Sequence, residues 1–111
     1  MARLAILDSA KRDVADIAAY IEGESGSRIT ADTFVDKLLA NCLRLAALSL
    51  AVGRARPEIA ADYRSMIFGS YIVFFRYLYD ENGERIMLQV VHVLHGARDL
   101  EAYFAGTDPD D

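Results

Sequence analysis

The apolar residues of this sequence change period once, at Gly53, and that change limits the folds open to the chain. Before it, Val14, Ile17, Ala18 and Ile21 recur at the i, i+3, i+4, i+7 spacing of an amphipathic helix. Ala31, Phe34, Val35, Leu38, Cys42, Leu45 and Ala46 then mark one face of a second, longer helix, and Leu39, Leu43 and Leu48 are expected to widen that stripe into the core. Glu22 to Ser27, with two Gly and two Ser, separates the two, so they are expected to form an antiparallel helical hairpin. After Gly53 and Pro57 the pattern turns to strands. Tyr63 to Phe68 is one candidate, and Tyr71 to Tyr79, apolar on both faces except at Arg76, reads as a central strand. Asp80 to Glu84 is a turn whose Asn82-Gly83 pair favours a hairpin into a long strand from Arg85 to Leu94. Arg3 to Leu7 reads as a short strand ending at Asp8-Ser9, a helix-cap sequence. Ala97 to Phe104 reads as a short final helix after a sharp turn at Gly96. The predicted order is β-α-α-β-β-β-α, an α+β domain with a helical hairpin packed on a mostly antiparallel sheet.

Composition narrows the functional classes. The chain has 111 residues, enough for one small core, with residues 1–105 expected as a single domain and 106–111 as a frayed acidic tail. No apolar run reaches the roughly 18 residues of a membrane helix, so no membrane partner is expected. Charged residues at Arg3, Asp8, Lys11, Arg12, Asp13 and Asp16 leave no room for a signal-peptide core, and the cytoplasm is the expected compartment. A hydrophobic share of 53% means either a well-filled core or a surface that keeps a partner. The single Cys42, among Leu and Ala on a helix, excludes an internal disulfide and reads as a core residue. A net charge of −5 argues against a broad nucleic-acid surface, and no direct sequence-specific nucleic-acid binding is expected.

Three motifs then carry a resemblance. Gly53-Arg54-Ala55-Arg56-Pro57-Glu58 resembles a Gly-Arg-x-Arg-Pro-Glu turn common in ParE-like toxins. Arg64-Ser65 followed by Phe68-Gly69-Ser70-Tyr71-Ile72-Val73-Phe74-Phe75-Arg76 is similar to that family's strand pair, with Phe75 where many relatives carry Tyr. Val91-His92-Val93-Leu94-His95-Gly96-Ala97-Arg98-Asp99 is similar to its closing motif. Together they resemble the ParE/RelE toxin–antitoxin superfamily, ParE most, over almost the whole chain. The resemblance implies the toxin of a type II toxin–antitoxin system that inhibits DNA gyrase by protein–protein contact and is neutralised by a ParD-like antitoxin. It also implies that the antitoxin lays a helix beside the helical hairpin, where Val14, Ile17, Tyr20 and Ile21 would line a groove while helping to build the core.

The residues themselves leave two functional readings open. For a target surface, Arg64, Arg76 and Arg98 are the candidates, because Gly69, Gly96 and Asp99 have conformational or helix-end reasons to be present. Arg76, on one strand face with Ile72, Phe74 and Leu78, must reach solvent or a carboxylate: it either anchors a partner or bridges to an acid such as Asp99. The alternative is a RelE-like ribosome-dependent mRNA endonuclease. That chemistry needs a base, an acid and cations, for which Arg64, Arg76, His95, Arg98 and Tyr103 are the candidates. The only lysines, Lys11 and Lys37, fall on predicted helices. His92 and His95 should point to opposite faces of their strand, which with one Cys leaves no metal signature, and no cofactor is expected. Tyr103 and Phe104 are expected to dock the last helix.

Overall fold

A computed structural model describes residues 2–98 and 100–105. Strand β1 (Arg3–Ile6) leads into the hairpin of α1 (Asp8–Ser25) and α2 (Arg28–Ala47). There follow β2 (Arg54–Ala55), β3 (Arg64–Phe68), β4 (Tyr71–Tyr79), β5 (Arg85–His95) and the short α3 (Leu100–Ala105). Among the described residues the strands form one sheet in the order β1-β5-β4-β3-β2, antiparallel except for the parallel pair β1–β5. The α+β order is as expected, with β2 added: a two-residue edge strand is too short to show a period. Asp99 and residues 106–111, including the expected acidic tail, lie outside the described residues. Among the described residues no helix is long and apolar enough to cross a membrane.

The hairpin turns on two residues. Gly26 closes α1 in the left-handed region at φ 69°, and the Ser27 hydroxyl accepts from the Thr30 amide at 3.2 Å to open α2. Asp8-Ser9 is not the cap of α1; that position is Leu7, without a side-chain bond. Ser9 instead buries its hydroxyl and donates 2.6 Å to the Val91 carbonyl, pinning the first turn of α1 to β5. The helices cover one face of the sheet. Leu38, Cys42, Leu45 and Ala46 pack there on Val73, Phe75, Tyr77, Leu88, Val90 and Val93. Leu39, Leu43 and Leu48 do not join them; Leu43 is 58% exposed, because the sheet takes only the stripe through Leu38, Cys42 and Leu45.

Three local features shape the sheet and its connections. Gly53, at φ 94°, brings its backbone so close to Phe75 that an added Cβ would lie 2.6 Å from the ring, which explains glycine there. Gly96, by contrast, is not in the left-handed region, and an added Cβ would meet the Ser70 carbonyl at an ordinary 3.4 Å. The turn expected of it is held by hydrogen bonds, Gly96 N–H to Ser70 O and Arg98 N–H to His95 O, so α3 starts at Leu100 and not at Ala97. Finally, Phe74 pairs with His92 but Phe75 pairs with Val90, leaving Val91 as the extra residue of a β-bulge.

Candidate functional site

Opposite the hairpin, among the described residues, the sheet is covered by α3 with Arg56 beside it. Phe104 packs its ring on Phe74 at 5.1 Å, His92 at 5.4 Å and Tyr63 at 6.4 Å. Tyr103 and Phe104 are thus the docking side of α3, as the sequence suggests. The more polar feature lies beside them, where β1 ends opposite Val90 and α1 continues along the next part of β5.

There Asp13, from α1, reaches β5. Its Oδ2 accepts from the Val93 amide at 3.0 Å and lies 2.9 Å from His92 Nδ1, which donates to it. The Tyr103 hydroxyl completes the group, 3.5 Å from Asp13 Oδ1 and 3.3 Å from His92 Nδ1. Among the described residues His92 Nε2 has no hydrogen-bond partner, and the ring lies buried against Tyr103 and Phe104. Burial, followed by the charge of Asp13, raises the pKa of the Tyr103 phenol above its ordinary value, while Arg98 opposes the rise. The Arg98 guanidinium stacks over the Tyr103 ring at 4.4 Å. Arg98, Asp13, Asp16, Ile17, Tyr20, Tyr71 and His95 help to line a cleft of about 370 Å³ between α1 and the end of the sheet.

The other candidate residues are dispersed. Arg64 opens β3 and donates to the carbonyls of Val52 and Gly53 at 3.4 and 3.2 Å, tying down the loop after α2. Arg76 lies on the α3 side of the sheet, and its Nε donates to Gln89 Oε1 across the strand pair at 2.9 Å; a bridge to Asp99 lies outside the described residues. His92 and His95 do face opposite sides, as the register of β4 with β5 requires. His95 sits exposed with its ring 5.4 Å from Tyr71, and its Nδ1 accepts from the Ala97 amide at 3.0 Å. Of the five alternative catalytic residues, Arg98 contacts two others, stacking on the Tyr103 ring and donating its amide to the His95 carbonyl, whereas Arg64 and Arg76 lie elsewhere on the sheet. Of the groove residues, Val14 and Ile17 pack against the core and Ile21 is half-buried, whereas Tyr20 is 63% exposed.

Comparison with known proteins decides the family. A family model described as the ParE toxin of the type II toxin–antitoxin system parDE matches residues 4–100. The chain belongs to the ParE toxin family. No match was found among curated protein sequences. Among solved structures, the chain is similar to one in the RelBE2 toxin–antitoxin complex of Mycobacterium tuberculosis, at 17% identity and a TM-score of 0.40 over 85% of this chain and 96% of that one. As a ParE-family toxin, the molecule is one half of a toxin–antitoxin pair. The residue least visible in its sequence is Asp13. Its signal is a carboxylate inside an apolar stripe, three residues after Ala10 and four before Ile17, where a charge needs a buried partner.

Proposed function

We propose that this ParE-family toxin inhibits DNA gyrase by protein–protein contact and is neutralised by a ParD-like antitoxin. The reading takes residues 1–105 as one toxin domain, with Arg98 at the centre of its target surface and Arg64 and Arg76 towards the margins. The separation of Arg64 and Arg76 from the cleft that Arg98 and His95 share carries it. Cutting RNA through the 2′-hydroxyl needs a proton acceptor, a proton donor and a cation around one phosphate. Here Arg64 holds a loop at the far side of the sheet and Arg76 meets Gln89 in mid-sheet, so two of the three candidate cations stand away from His95, Arg98 and Tyr103. A chain of net charge −5 is also poorly suited to grip ribosomal RNA. The endonuclease reading keeps one supporting observation, the Tyr103 hydroxyl held near His92 and Asp13 beside Arg98.

The antitoxin segment, in this reading, lies along α1 over Val14, Ile17, Tyr20 and Ile21, with Tyr20 as its outermost contact. A folding-on-binding segment needs such a track, and α1 presents it beside the cleft. Induced without its antitoxin, the protein should arrest growth and produce gyrase-dependent chromosome breaks. Arrest with intact chromosomes and with messages cut on the ribosome would replace this reading by the endonuclease one.

A further inference from the structure

Resting on the reading of Arg98 as a working contact, we infer that Asp13 and His92 are positioning residues that act on Arg98 through Tyr103. An exposed arginine on a turn has several rotatable bonds, and holding it for a partner costs side-chain entropy. Stacking on Tyr103 removes part of that cost before binding. The ring can do so only if α3 is fixed, and a helix of six residues has no stability of its own. Its place is set by side chains: Phe104 against Phe74, Tyr63 and His92, and the Tyr103 hydroxyl within reach of Asp13. Asp13 is a rigid anchor because two β5 groups, the Val93 amide and His92 Nδ1, converge on one of its oxygens, and Ser9 pins the preceding turn of α1 to the same strand. Contacts thus run from the interior edge of β5 through a carboxylate and a phenol to an exposed guanidinium.

A clasp that only held α3 would not need its tyrosine under an arginine, and two measurements separate the alternatives. The first is spectroscopic. In the folded protein the Arg98 side-chain protons should show the upfield ring-current shift of a guanidinium over an aromatic face, and Asp13→Asn should reduce it. The second is the inducer dose that arrests growth, a readout blind to the target's identity, measured beside antitoxin affinity. Tyr103→Leu should raise that dose about two- to fivefold, the factor that an exposed cation–π contact is worth, with antitoxin affinity unchanged. Tyr103→Phe, which keeps the ring and loses the hydroxyl, should fall between the parent and Tyr103→Leu. Adding Tyr103→Leu to Arg98→Ala should cost nothing beyond Arg98→Ala, because Tyr103 acts through Arg98.

Additive losses in that cycle, or an unchanged Arg98 signal in Asp13→Asn, would overturn the inference. Full potency of Arg98→Ala would do the same and remove Arg98 from the target surface, while leaving gyrase itself as the target. A cycle that behaves as expected in cells whose gyrase is untouched would sink the gyrase reading alone. If Asp13→Asn fails to fold, the Tyr103 variants, on a peripheral helix, still decide the matter.

Discussion

The two faces of the sheet are built from adjacent phenylalanines and have different chemistry. Phe75 points to the hairpin and Phe74 to α3, and both are fully buried. Around Phe75 the neighbours are apolar: Leu38, Cys42, Leu45, Val73 and Val90 exclude water beneath two helices of 18 and 20 residues. Around Phe74 the same strands carry Ser65, Arg76, Gln89 and His92, and the only helix over them among the described residues has six residues. Arg56 lies over the Phe74 ring at 5.7 Å and donates to the Ser65 hydroxyl at 2.7 Å. The hairpin face supplies most of the stability. The α3 face tolerates polar side chains because each finds a partner, and there the fold can present groups such as Arg98.

Truncating the paired rings tests that division first. Phe75→Ala should destabilise by about 4 kcal/mol, and Phe74→Ala by about 3, because a thin cover can close over part of the cavity. Equilibrium urea unfolding would measure both, and a larger loss at Phe74 would reverse the assignment of the main core.

Alkaline titration sharpens the dryness of the hairpin face. Burial pushes the Cys42 thiol from 9.0 up to about 11. The unfolded chain therefore releases this proton at lower pH than the folded one. The stabilisation is complete below pH 9, falls as pH rises towards about 11, and totals about 2–3 kcal/mol. Cys42→Ala should flatten this part of the stability–pH curve. An unchanged slope would mean that water reaches the thiol. The smallest effect belongs to the α3 face: Gln89→Ala, which removes one acceptor from half-buried Arg76, should cost about 1 kcal/mol.

Legibility in the sequence tracks physical range. Helix and strand periods are local, so the hairpin, the central β4 and the long β5 can be read from spacing alone. Asn82-Gly83 marks the β4–β5 turn because Gly83 takes φ 78°, although the loop is a five-residue one in which Asp80 Oδ1 accepts from the amides of Asn82 and Glu84. The Val91 bulge has no local signature, since Val90, Val91 and Val93 are all buried valines and either register would bury them. Leu39 and Leu43 have the spacing of core residues but lie on the side of α2 that nothing in the described chain covers. Asp13 and His92 stand 79 residues apart in sequence and meet only after β5 has paired with β1 and α1 has turned back along it. Arg98 and Tyr103 are both visible in the sequence as candidates; their contact, and the carboxylate behind it, are not.

In the proposed function, the exposed arginine over Tyr103 works on a protein target. Purified protein incubated with gyrase, ATP and plasmid should accumulate gyrase-linked cleaved DNA, and Arg98→Ala should lose most of that accumulation while keeping the parent's unfolding midpoint in urea. No cleaved DNA from gyrase, together with cutting of messenger RNA on purified ribosomes, would contradict it.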